Sequence, residues 1–213
     1  MEAVVIPAIL VKTREELLRR ILLVRDFVPE IQLDIMDGVF VPNKTVGLED
    51  LKGLPPAKYE FHWMVVRPEE WIAKTPGPHT HLVHVETITS MEKVESAVRK
   101  AGGSLGLAIN PETPLEKLLP YVGRARRVLI MTVHPGFSGQ KYIFEMGQKI
   151  KKLRSLYPSL DIEVDGGVNR DTVAHAYSCG ANILAAASAI FSSDDIKGAV
   201  EDLRKRAAEG VPS

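Results

Sequence analysis

Short apolar runs rich in β-branched residues recur eight times along the chain: AVVIPAIL (3–10), IQLDIM (31–36), KYEFHWMV (58–65), HLVHVE (81–86), SLGLAIN (104–110), RVLIMTV (127–133), DIEVDG (161–166) and ANILAAA (181–187). Each has the length of a strand and is apolar almost throughout, the pattern of a strand buried on both faces in a parallel sheet. Between them lie stretches with helical spacing. In Thr13–Phe27, the residues Leu17, Leu18, Ile21, Leu22 and Val24 form one face, and Thr13 with Glu16 makes a capping-box start. Further helices are expected over Pro68–Lys74, Ser90–Lys100, Pro114–Leu119, Ile143–Leu156, Asp171–Ser178 and Asp194–Ala207, whereas VGLEDLKGL (46–54) leaves room only for a short one.

Strands alternating with helices in this way imply right-handed βαβ crossovers, and eight of them imply an α/β fold closed as a single (β/α)8 TIM barrel. The alternative, an open doubly wound sheet, carries a glycine-rich turn after its first strand; here the first strand runs into VKTREE, with no G-x-G-x-x-G near it. A length of 213 residues suits one such domain, read as residues 1–208, with 209–213 as a frayed tail. Lys and Arg together number 27, as do Asp and Glu, so the charge balance argues for neither nucleic acid nor an anionic membrane surface as partner. The single cysteine, Cys179, has no partner for a disulfide within the chain, and the start MEAVVIPAILVKTREE has neither the basic opening of a signal peptide nor the length of a membrane span. A cytoplasmic setting is expected.

Polar residues gather at one end of these strands. Asp34 and Asp37 close the second, His62 lies near the end of the third, His84 and Glu86 end the fourth, Asn110 the fifth, Thr132 and His134 the sixth, and Asp165-Gly166-Gly167 the seventh. In a barrel the C-terminal strand ends surround one cavity. Asp34 and Asp37 fall on different faces by strand alternation, so Asp34 points inward while Asp37 enters a turn and caps loop amides. Asp34 from strand two and Asp165 from strand seven are expected on opposite walls of an eight-strand ring, and two carboxylates facing each other across a cavity suit proton abstraction on one face of a carbon and redelivery on the other. A metal held by Asp34, His62 and Asp165 would stabilise the enediolate between those steps. Asp165-Gly166-Gly167 after strand seven and Ala187-Ser188-Ala189 after strand eight read as phosphate cradles built from backbone amides. The segment His134-Pro135-Gly136-Phe137-Ser138-Gly139-Gln140 reads either as a loop that closes over ligand or as a surface turn. Met36, Met64 and Met131 are either core filler or a water-poor wall around the reacting carbons. His79 and His81 lie at the other end of strand four and are read as structural.

With these residues in view, the chain resembles the ribulose-phosphate 3-epimerase family along nearly its whole length. The segments that carry the resemblance are PAIL, QLDIMDGVFVPN, FHWMV, HVET, GLAINPETP, LIMTVHPGFSGQKYI, IEVDGGVN and GANILAAASAIF, in family order. The resemblance implies a ribulose-phosphate-binding barrel, one divalent metal ion (Zn, Fe, Mn or Co), and inversion at carbon 3 of a phosphorylated ketose, ribulose 5-phosphate to xylulose 5-phosphate, in carbohydrate metabolism of the pentose phosphate pathway. It assigns Asp34 and Asp165 as acid and base and Asp34, His62 and Asp165 as metal ligands. It places substrate and phosphate contacts on Ala8, His62, Gly136, Phe137, Ser138, Gly139, Gly166, Gly167, Ala187 and Ser188, and a sulfur wall on Met36, Met64 and Met131. It implies a homo-oligomer.

The departures from the family are specific. Gln32 stands where the family has the first metal-ligand histidine; its amide oxygen can coordinate, but it is neutral and less suited than imidazole to zinc or iron. Ala8 replaces a substrate-contacting serine, Ala187 replaces a glycine, and His134 stands in place of an acidic or amide residue, where it would compensate if it reached the cavity. Two other readings follow. NPETP also occurs among allulose 6-phosphate 3-epimerases, and an impaired metal site would suit a non-catalytic phosphosugar-binding paralogue.

Overall fold

A computed structural model of the protein describes residues 2–137 and 139–209. Eight parallel strands close into a barrel in sequence order: β1 (Val4–Ile9), β2 (Ile31–Met36), β3 (Tyr59–Met64), β4 (Thr80–His84), β5 (Ser104–Ile109), β6 (Arg127–Met131), β7 (Asp161–Asp165) and β8 (Ile183–Ala186), with β8 paired to β1. Seven α-helices are described: α1 (Arg14–Val24), α2 (Pro68–Ile72), α3 (Met91–Ala101), α4 (Met146–Leu156), α5 (Val173–Ser178), α6 (Ser188–Phe191) and α7 (Ile196–Glu209). Glu209 closes α7, and the rest of the expected tail, 210–213, lies outside the described residues. Among the described residues, no helix is long and apolar enough to cross a membrane.

Two of the expected helices are not α-helices. Residues 48–53 form turns, because Gly47, Gly53 and the Pro55-Pro56 pair interrupt the only helical stretch available there. Pro114–Leu119 becomes part of two 3-10 helices, Leu115–Lys117 and Leu119–Arg124, since Pro120 removes the N–H a longer α-helix would need. The face of α1 is narrower than its spacing suggests. Leu17, Ile21 and Val24 are buried and Thr13 Oγ1 accepts from the Glu16 N–H, but Leu22 is 52% exposed.

Strand alternation sorts the core into two regions. Outward-facing residues such as Leu33, Ile35, Phe61, Trp63, Leu107 and Val164 pack beneath the helices. His81 belongs with them: it stacks on Phe61 and Trp63 and its Nδ1 accepts from Trp63 Nε1 at 3.1 Å, the structural role expected of it. The inward-facing residues change character along the barrel. At the N-terminal end, Arg127 of β6 is wholly enclosed with Glu30, Glu60 of β3 and Glu163 of β7, contacting Glu30 at 2.9 Å and Glu163 at 3.4 Å and bonding Glu60 directly. Thr80 Oγ1 donates to the other Glu30 oxygen at 2.8 Å. Burial, only partly offset by the guanidinium, pushes Glu60 up to about 7 and Glu163 well above the ordinary carboxylate value. Above this ionic floor, Leu82, Ala108 and Leu129 on one side and Ile6, Ala8, Ile183 and Ala185 on the other fill the middle of the barrel. The candidate site residues sit on top.

Candidate active site at the C-terminal strand ends

The register sets Asp34 beside His62 and Met36 beside Met64 across β2 and β3, and Met131 beside Asp165 across β6 and β7. Between β2 and β7 only β1 and β8 intervene, so the two aspartates reach the same point above the barrel interior. His62 Nδ1 lies 3.0 Å from Asp34 Oδ1 and 3.4 Å from Asp165 Oδ2. One donor atom from each of Asp34, His62 and Asp165 falls within 4.8 Å of the other two.

Gln32, fully buried one pleat below Asp34, completes the cluster in an orientation the sequence does not reveal. Its Nε2 donates to Asp34 Oδ1 at 2.8 Å and to Asp165 Oδ2 at 2.8 Å, while its Oε1 is buried without a hydrogen-bond partner. It presents nitrogen, not the expected oxygen, to the carboxylates.

Behind His62 runs a second line of polar groups. His62 Nε2 meets His84 Nε2 at 2.9 Å, His84 Nδ1 meets Glu86 Oε2 at 3.3 Å, and Glu86 Oε1 accepts the Asn110 N–H at 2.8 Å. Burial would raise Glu86, but the His84 hydrogen bond and charge bring it down to about 2, so it accepts from His84 Nδ1–H. That leaves His84 Nε2 as an acceptor and requires His62 to donate from Nε2 as well as from Nδ1. The electrostatics agree: burial alone would lower His62, but its bonds to Asp165 and Asp34 raise it to about 9, whereas burial takes His84 down to about 4. Burial and the charge of Asp165 push Asp34 above its ordinary value against the bonds from His62 and Gln32. The sequence named His84 and Glu86 at a strand end without assigning them; their i, i+2 spacing was the available signal.

A cavity of about 180 Å³ opens above the aspartates. Of the residues singled out in the sequence, Asp34, Met36, Met64, Met131, Gly136, Phe137, Gly139, Asp165, Gly166, Gly167, Ala187 and Ser188 line it. Gln32 and His62 lie outside the lining, and Ala8 packs with Ile6, Ile183 and Ala185. Ser138 lies outside the described residues. Pro135 and Gln140, from the loop read as one that could close over ligand, also line it, and Asn169, Val168 and Val133 join without having been anticipated. His134 does not reach the cavity: it is 65% exposed and pairs with Glu112 at 2.5 Å, so it compensates for nothing there.

The walls are shaped by tight local geometry. Gly166 (φ +112°) and Gly167 (φ +69°) have backbones that side chains rarely adopt, and a Cβ would come within 2.3 Å of Val133 Cγ2 at the first and 2.8 Å of the Tyr142 nitrogen at the second. Asn43 Nδ2 donates to the Gly136 carbonyl at 2.6 Å, and Gln140 Nε2 to the carbonyls of His134 at 2.5 Å and Phe137 at 2.9 Å, so the glycine-rich loop is tied at several points. Asp37 caps as expected, accepting from the Val39 and Phe40 amides at 2.8 and 2.9 Å and from Val66 N at 2.8 Å.

The donor set fits a divalent cation. Two carboxylates and an imidazole converge with little solvent around them, and the orphaned Gln32 oxygen lies on the same amide whose nitrogen now bridges the carboxylates.

Comparison with known proteins places this arrangement. The family profile described as "Ribulose-phosphate 3 epimerase family" matches residues 4–191. The ribulose-phosphate 3-epimerase of Methanocaldococcus jannaschii is 38% identical over 186 residues, covering 84% of this chain and 80% of the relative. The cytoplasmic isoform of ribulose-phosphate 3-epimerase from Oryza sativa subsp. japonica is 38% identical over 185 residues, covering 82% and 81%. Among solved structures, 3-hexulose-6-phosphate synthase from Salmonella typhimurium superposes with a TM-score of 0.71 over 99% of this chain and all of that one; at 15% identity it bears on the fold alone. From its strand order, its converging aspartates and these relatives, the chain belongs to the ribulose-phosphate 3-epimerase family and is an enzyme of the epimerase class.

Proposed function

We propose that the chain inverts carbon 3 of a phosphorylated ketose, converting ribulose 5-phosphate to xylulose 5-phosphate, with Asp34 and Asp165 as the two proton-transfer groups. The observation that carries this reading is the convergence of these carboxylates, from two different strands, beneath one cavity. A two-base inversion needs one carboxylate ionised to take the C3 proton and one protonated to deliver a proton to the opposite face. Burial and the charge of Asp165 raise Asp34, which favours Asp34 as the carboxyl that carries a proton. Asp34, His62 and Asp165 would hold one divalent ion (Zn, Fe, Mn or Co); Gln32, whose amide nitrogen faces the two carboxylates, is not counted among its donors. When bound, such an ion would supply Lewis-acid stabilisation of negative charge developing on the substrate oxygens. Met36, Met64 and Met131 give the reacting carbons an apolar, polarisable surround. The phosphate is read onto Gly136, Phe137, Gly139, Gly166, Gly167, Ala187 and Ser188, with Ser138 outside the described residues and Ala8 only a replacement for the family's serine.

The test is turnover of ribulose 5-phosphate together with exchange of its C3 hydrogen for solvent deuterium. Asp34→Asn and Asp165→Asn should each lower turnover by roughly 10²–10⁴-fold. Full activity in either variant would remove the two-base assignment. Comparing kcat/KM for ribulose 5-phosphate and allulose 6-phosphate decides the sugar. One observation favours a second reading, a phosphosugar binder that does not epimerise: Gln32 already occupies both carboxylates. Binding of sugar phosphate without C3 exchange would establish it. A cytoplasmic homo-oligomer is part of the leading reading, and sedimentation of the purified protein measures the assembly.

A further inference from the structure

The Gln32 amide makes two hydrogen bonds that join the walls of the site. One nitrogen donates to Asp34 on its own strand and to Asp165 on β7, each at 2.8 Å, and lies 3.5 Å from His62 Nδ1. It therefore sits among the same three groups that would surround a cation, and it meets both carboxylates as a cation would, with positive hydrogens. The other end of the amide has no partner although it is buried. For that oxygen to serve as a ligand, the amide must rotate by half a turn. The rotation breaks both charge-assisted hydrogen bonds and moves the NH2 group to the place where the oxygen now has no hydrogen-bond partner.

We propose that Gln32 is a positioning residue that holds Asp34 and Asp165 together without an ion and competes with a divalent cation for the same two carboxylates. A simple fourth ligand would strengthen metal binding; an internal competitor weakens it. The two roles thus predict opposite signs for the same substitution. The inference rests on the reading of Asp34, His62 and Asp165 as the ion's ligands, and its test needs no catalysis.

Gln32→Met keeps the side-chain length and removes both N–H groups. Calorimetric titration of the chelator-treated proteins with Zn²⁺ or Mn²⁺ should show Gln32→Met binding at least ~10-fold tighter than the unmodified chain, about the factor that a lost charge-assisted hydrogen bond is worth. In chelator, Gln32→Met should melt below the unmodified chain, and saturating Zn²⁺ should close that gap. Equal or weaker ion binding by Gln32→Met overturns the proposal. If that variant does not fold, side-chain amide NMR of the unmodified protein decides. The Gln32 NH2 protons should be protected from solvent exchange in the ion-free protein and lose that protection on adding Zn²⁺. Exchange as fast as that of an exposed glutamine overturns it. Failure to epimerise would sink the functional reading while leaving these results standing.

Discussion

Glu60→Gln tests whether the floor of the barrel stores protons. Glu60 is fully buried, shares Arg127 with Glu30 and Glu163, and is raised from 4.5 to about 7, burial outweighing the guanidinium. A carboxyl raised in the folded state contributes its full stability below the unfolded value and loses it as pH climbs through the folded value. Between about pH 4.5 and pH 8 the unmodified protein should therefore lose stability at this group. At ~1.4 kcal/mol for each tenfold change in proton affinity, the step from 4.5 to about 7 corresponds to about 3 kcal/mol. Glutamine is isosteric with glutamate and does not titrate, so the variant escapes this loss. The assay is urea unfolding of both proteins in chelator at several pH values across that window. Their difference in unfolding free energy should move by about 3 kcal/mol in favour of the glutamine variant as pH rises. His62 and His84, at the far end of the barrel, act on both proteins and cancel in that difference, whereas Glu163, which Glu60 itself helps to raise, moves with the substitution and is part of the change read. A difference that stays constant, or moves in favour of glutamate, refutes the reasoning.

Two further perturbations bear on the same architecture. Arg127→Met leaves three buried carboxylates without their cation and should cost about 3–5 kcal/mol, read as a melting temperature lower by roughly 10 °C at neutral pH and partly recovered on acidification; a melting temperature unchanged at pH 8 would contradict it. Gly166→Ala should raise KM for the phosphosugar and cost roughly 1–3 kcal/mol, because of its φ of +112° and the Val133 contact. Adding Val133→Ala should restore only the steric part, as unfolding and kinetic measurements on the double variant would show.

The barrel was legible because buried parallel strands advertise themselves as unbroken apolar runs, and the polar residues interrupting those runs marked the rim. Helical spacing was a weaker guide. The stretch beginning at Pro114 has helical periodicity, yet Pro120 limits it to 3-10 turns, and Leu22 sits at the margin of a face narrower than its spacing suggests. The floor was not legible: Glu30, Glu60, Arg127 and Glu163 look like unrelated charges until the strand register brings them together. Asp34, His62 and Asp165 were recoverable because they end strands, but which end of the Gln32 amide faces them depends on hydrogen-bond geometry. His134 illustrates the converse, since a residue adjacent to a strand end can still turn to the surface and pair with Glu112.

The enclosed ion cluster under the barrel also governs traffic. Arg127, Glu60 and Glu163 are all at most 5% exposed, and Leu82 and Leu129 beside them are fully buried, so the described side chains close this end of the barrel. The cavity above the aspartates is the approach to them that the described residues form at the strand ends. A solvent hydrogen that reaches the aspartates from above then shares its path with the ligand, so bound ligand slows its exchange.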